Sequence, residues 1–83
     1  MSVIHSKAHV QIGKAGLTEG VIEEIKRQLD DKKLIKIRFM KSATKERDVK
    51  DLVEEIAMKT GSKVEDIRGR TAVIRKVKRE VVR

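Results

Sequence analysis

The chain has 83 residues and a formal net charge of +8; 41% of its side chains are charged, and it holds no Cys, Pro, Trp or Tyr and one Phe. This length suits one domain with a compact core, and the missing Cys excludes disulfide staples, thiolate zinc sites and cysteine nucleophiles. Base-stacking readers of single-stranded RNA are nearly excluded too, because only Phe39 could offer an aromatic face. No hydrophobic run approaches a membrane span and no signal-peptide pattern opens the chain, so the expectation is a soluble, cytoplasmic protein.

Val10 and Ile12 alternate with His9 and Gln11, which predicts a first strand. Val21, Ile22, Ile25 and Leu29 then form one stripe at helical spacing, predicting a helix over 18–31. Thr18 is its expected N-cap, with Glu19 in the first turn and Lys32 and Lys33 past its end, both suiting the helix dipole. Ile35, Ile37 and Phe39 alternate with Lys36 and Arg38, a clear period of two and a second strand. A second helix is predicted over about 46–60 from Val49, Leu52, Val53, Ile56 and Ala57, with Thr44 as a cap and Gly61 at its C-terminal side. Glu23–Arg27, Glu46–Lys50 and Glu55–Lys59 are acid-before-base pairs four apart, better read as surface supports than as catalytic carboxylates.

Residues 64–68 read as a third strand with a fault, since Val64 and Ile67 are out of phase and a bulge is expected between them. Gly69-Arg70 is the expected hairpin turn into a last strand over 71–75. The order β-α-β-α-β-β predicts an α/β, two-layer α+β fold, with two helices on a mixed sheet. One domain is expected over 1–83, with 1–7 and about 77–83 free to fray. Val77, Val81 and Val82 are candidates to lengthen the last strand.

Charge is segregated along this order: residues 32–47 and 68–83 each sum to +6, while 18–31 sum to −3. Strand–helix–strand units give parallel strands, so the carboxyl ends of the first three strands should share one sheet edge. Ligands of open α/β sheets favour that edge. It should gather Lys14, Lys41, Lys45, Arg68 and Arg70, with Arg47 close by, as a site for a polyanion.

The same edge should carry Gly13-Lys14-Ala15-Gly16, between a strand and a helix that Thr18 caps. Two glycines allow close approach of a phosphate, and a helix N-terminus offers unpaired N–H groups. A tight turn that simply needs glycine explains the four residues as well. The loop is neither a nucleotide P-loop nor a dinucleotide fingerprint, because the Gly-Lys-Ser/Thr ending and the third glycine are both missing.

The stretch Val10-Gln11-Ile12-Gly13-Lys14-Ala15-Gly16-Leu17-Thr18-Glu19-Gly20-Val21 resembles the signature of the CRM domain, named for chloroplast RNA splicing and ribosome maturation. Leu34-Ile35-Lys36-Ile37-Arg38, Val53-Glu54-Glu55-Ile56 and Ile67-Arg68-Gly69-Arg70-Thr71-Ala72-Val73-Ile74 fit in order, so the likeness runs from about Ala8 to Lys76. The chain resembles the stand-alone prokaryotic YhbY type rather than plant splicing factors that carry several copies. The resemblance implies an RNA-binding module with a fold like the C-terminal domain of translation initiation factor three. It also implies that the Gly13–Gly16 loop contacts RNA as KH-domain loops do, and that the partner is ribosomal RNA or a large-subunit precursor. Bacterial members carry an extra helix before the first strand, where only seven residues precede Ala8 here. They often end the last strand on Tyr where this chain has Arg75. The short N-terminus, the Lys/Glu-rich helices and the lack of Cys fit an archaeal or thermophilic source.

A rival resemblance is to Alba-type chromatin proteins, which share the element order and open with Ile-Gly-Lys, as in Ile12-Gly13-Lys14. Preference for structured RNA over duplex DNA separates the two. An enzyme is disfavoured: the candidates are His5 and His9, with Ser6 beside them, on an extended segment with no nearby carboxylate or Cys. No catalytic residue, metal or cofactor is therefore expected, and the protein should act as a monomer. The expected RNA-binding set is Gly13, Lys14, Ala15, Gly16, Thr18, Lys41, Lys45, Arg47, Arg68 and Arg70.

Overall fold

The computed structural model describes residues 8–45 and 47–77. In chain order they form β1 (Val10–Ile12), α1 (Glu19–Lys32), β2 (Leu34–Phe39), a short 3-10 turn (Lys41–Thr44), α2 (Val49–Thr60), β3 (Ser62–Arg68) and β4 (Thr71–Lys76). The sheet order is β1-β2-β4-β3. β1 runs parallel to β2, while β4 is antiparallel to both β2 and β3. Strands β1, β2 and β3 therefore point the same way, and β4 returns between the last two. This is the expected two-layer α+β fold with a mixed sheet.

Burial follows the period of two. Val10, Ile12, Ile35, Ile37, Phe39, Ala72 and Ile74 face the helices and pack with Ile22, Ile25, Leu29, Leu52, Val53 and Ile56 in one core. Each Val, Leu, Ile or Phe among them contributes roughly 1.5–3 kcal/mol when taken from water. Phe39 and the core isoleucines of the sheet are completely buried. The predicted fault in β3 is present as a register shift between Val64 and Asp66, which keeps Val64 opposite Ile74 and Ile67 opposite Ala72.

Helix α1 starts as its sequence dictates, with the Thr18 hydroxyl oxygen accepting from the Val21 N–H at 3.2 Å. It stops at Lys33, whose φ of 70° is left-handed and whose N–H donates to the Leu29 carbonyl. Lys32 is thus the last helical residue rather than the first beyond it. Helix α2 begins later than the pattern suggested. Its cap position is Asp48, and the Thr44 hydroxyl instead donates to the Lys41 carbonyl at 3.0 Å, inside the 3-10 turn. Gly61 closes α2 with φ 67°.

One ion-pair expectation, Glu23–Arg27, changes. Arg27 pairs with Glu24 at 2.6 Å, and Glu23 pairs with Lys26, because neighbours three apart are as close on a helix as those four apart. Glu55–Lys59 forms at 3.1 Å. Glu46–Lys50, the first seven residues, Val81 and Val82 lie outside the described residues, and Val77 follows β4 without joining it.

Candidate nucleic-acid interface

Backbone hydrogen bonds bring three loops to one edge of the sheet. The Met40 N–H donates to the Ile12 carbonyl at 2.8 Å, joining the chain that leaves β2 to the chain that leaves β1. The Phe39 N–H donates to the Arg70 carbonyl at 2.7 Å, joining β2 to the β3–β4 turn. The glycine loop, the 3-10 turn and the hairpin turn therefore sit side by side at the carboxyl ends of β1, β2 and β3.

The glycine loop is itself a closed turn, with the Gly16 N–H donating to the Gly13 carbonyl at 2.9 Å and the Thr18 N–H to the Gly16 carbonyl at 3.1 Å. Gly16 has φ +75°, so its conformation alone calls for glycine. Gly13 is different: it lies outside that region of φ, and no atom of the described residues stands within 4 Å of where a Cβ would sit. Neither backbone strain nor crowding among the described residues explains Gly13, and the space beside it is open to a ligand. Lys14 and Ala15 are exposed at the tip of the turn. Thr18 spends its hydroxyl oxygen on the cap, which fixes the start of α1 directly behind the loop.

The cations of this edge fall into two groups. Lys14, Lys41, Lys45 and Arg70 are exposed and have no acidic partner among the described residues. Arg47 does not belong with them. Its Nε donates to Asp51 at 2.6 Å and its Nη1 lies 2.7 Å from Glu55, so the guanidinium is bound to the face of α2. Those two carboxylates raise the Arg47 pKa further, while Lys59 and then Arg47 hold the Glu55 carboxyl below its ordinary value. Arg68 is intermediate: its Nε donates to Asp66 at 2.9 Å, but the side chain remains 70% exposed.

The face of the sheet away from the helices carries further polar and basic side chains, most of them outside the expected RNA-binding set. Gln11, Lys36, Arg38, Arg70 and Thr71 border an open basin of about 690 Å³, together with Ala8 and Gly69. The signal was the same alternation that marked the core. Residues between Ile35, Ile37 and Phe39 must point the opposite way, and that side bears no helix among the described residues.

His9 is structural. Its backbone N–H donates to the Lys36 carbonyl at 2.8 Å, and its Nδ1 accepts from the Lys36 N–H at 2.9 Å. Burial and then the Lys32 charge hold its pKa below the usual value. Among the described residues no three His, Asp or Glu side chains gather as a metal site, and no helix is long and apolar enough to cross a membrane.

The fold and this edge define a small α+β module with two helices on one face of a four-stranded sheet and a glycine loop at its carboxyl edge. The chain belongs to the CRS1/YhbY (CRM) domain family, whose pattern matches residues 2–76. A solved structure agrees. The solution structure of a hypothetical protein from Staphylococcus aureus, put forward as an RNA-binding protein, is similar with a TM-score of 0.76 and 28% identity. The similarity covers 94% of this chain and 79% of that one. Family membership decides between the two resemblances noted in the sequence.

Proposed function

We propose that this protein is a non-catalytic RNA-binding protein that grips structured RNA with the Gly13–Gly16 loop and the basic edge beside it. The observation that carries this reading is the glycine turn at the start of a capped helix, on the same edge as Lys14, Lys41, Lys45 and Arg70. The open space beside Gly13 lets a sugar–phosphate strand approach the backbone, and the free N–H groups at the start of α1 suit an anion. Lys14 at the tip adds a mobile charge, and Arg70 extends the contact across the hairpin turn. Arg47 acts within the protein, holding the start of α2. With no aromatic platform, recognition rests on backbone shape and 2′-hydroxyls.

Membership of the CRM family and the likeness to a protein put forward as an RNA binder support this reading. The same membership suggests ribosomal RNA or a large-subunit precursor as the target, met in the cytoplasm by a monomer. The test is fluorescence anisotropy with a stem–loop RNA, in competition with duplex DNA of equal length. Lys14→Ala should weaken RNA binding without lowering Tm, and duplex DNA should compete poorly. Equal or better binding of duplex DNA would overturn the proposal. Co-sedimentation with large-subunit precursors tests the role in assembly.

A further inference from the structure

Strand register places four hydrogen-bonding side chains in one row on the sheet face away from the helices. Gln11 lies opposite Arg38, Arg38 opposite Thr71, and Thr71 opposite Arg68, so the row crosses all four strands. Three inter-strand steps make it about 14 Å long. It lies just inside the edge that carries the glycine loop, since the next pair along β1 and β2 is Ile12 and Phe39. Arg70 reaches the same basin from the turn.

We infer that this row is a second RNA contact, and that it takes a single-stranded segment leaving the structured part held by the loop. The inference rests on the RNA-binding reading and extends it to a surface. Three features of the row carry it. First, its charge suits a polyanion: Arg38 is exposed with no acidic partner among the described residues, and Arg68 is mostly exposed despite its bond to Asp66. Second, guanidinium groups alternate along the row with the neutral side chains Gln11 and Thr71. Phosphates can meet the first kind while base edges meet the second, and a guanidinium plane can also stack on a base where no aromatic ring is present. A duplex laid on the same face would offer phosphates and 2′-hydroxyls, but no unstacked base for a guanidinium plane to cover. Third, the row is continuous through Arg70 with the loop edge, so one strand can run from one contact to the other without a gap.

The experiment compares two fluorescein-labelled RNAs, a stem–loop and the same stem–loop with a single-stranded 3′ tail of about ten nucleotides. Wild type should bind the tailed RNA roughly tenfold more tightly, the yield of about two net hydrogen bonds. A protein carrying both Gln11→Ala and Arg38→Ala should bind the two RNAs equally, with its affinity for the tailless one unchanged. Both positions are exposed and outside the core, so the variant folds. If wild type gains nothing from the tail, or the double variant keeps the gain, the sheet-face contact is wrong while the loop reading stands. If wild type binds neither RNA at low salt, both are wrong.

Discussion

The ion pairs of the basic edge make a quantitative prediction about salt. Each phosphate contact contributes about −0.7 to −0.9 to the slope of log affinity against log salt. Counting every cation that the sequence brings to the edge gives six. Arg47 is removed by its bonds to Asp51 and Glu55, and Arg68 is partly engaged by Asp66. Lys14, Lys41, Lys45 and Arg70 remain, and four contacts predict a slope of roughly −2.8 to −3.6. Affinity for a tailless stem–loop RNA should therefore fall roughly 50- to 150-fold between about 50 mM and about 200 mM monovalent salt. The assay is an anisotropy titration repeated at several salt concentrations, for wild type, Lys14→Ala and Arg47→Ala. Lys14→Ala should flatten the slope by about 0.7–0.9, and Arg47→Ala should leave it unchanged while lowering Tm. If Arg47→Ala flattens the slope as much as Lys14→Ala, the division of the edge into bound and available cations is refuted. A slope shallower than about −1 would refute phosphate gripping at this edge altogether.

Three predictions concern the fold. Ile37 is completely buried, and Ile37→Ala should cost about 2–5 kcal/mol in urea unfolding, a large part of the stability of so small a chain. Lys33 holds a left-handed conformation at the end of α1, so Lys33→Gly should stabilise by about 1 kcal/mol and raise Tm by roughly 4–8 °C, despite losing a side-chain bond to the Asp30 carbonyl. The third involves His9, whose pKa is lowered in the fold, so the unfolded chain takes up the proton first. Stability from His9 is complete above about 6.5 and is lost as pH falls from there to the lowered folded value. The Glu24, Asp30 and Glu55 carboxyls are also lowered, but their contribution disappears only below about 4, as pH falls toward their folded values. A fall in Tm between about pH 7.5 and about pH 5.5 should therefore belong to His9 and vanish in His9→Gln; persistence in that variant would assign it elsewhere.

What the sequence revealed about the fold was periodicity. Ile35, Ile37 and Phe39 could be placed because a strand admits one side of alternation, and the fault between Val64 and Ile67 announced the bulge. The start of α2 was harder. Thr44 is a good cap by residue type, but a 3-10 turn at Lys41–Thr44 captures its hydroxyl first, and no local preference decides between two such turns. The site was legible as an edge, because topology alone sends three strand ends to one side. Arg47 looked available since charge counts in sequence ignore which carboxylate lies within reach in space. Conversely, Arg38 and Gln11 were visible as the alternate residues of β1 and β2. Alternation alone does not tell a binding face from a merely solvated one, and only the sheet order lines them up with Thr71 and Arg68.

The place of β4 has a consequence for how the molecule comes into being. It is the last strand in sequence among the described residues but the second from the edge in space, where Ala72 and Ile74 join the core and β2 meets its antiparallel partner. Leu34 and Ile35 find their partners only in Arg75 and Ile74, so the sheet cannot close until residues 71–76 have been synthesised. Until then a nascent chain carries β2 with one open edge and an unfinished apolar layer. Such non-local pairing slows folding and exposes sticky intermediates. A chain truncated before Thr71 should therefore fail as a whole rather than lose a strand. Production of the folded protein becomes all-or-none, with synthesis through β4 as the checkpoint.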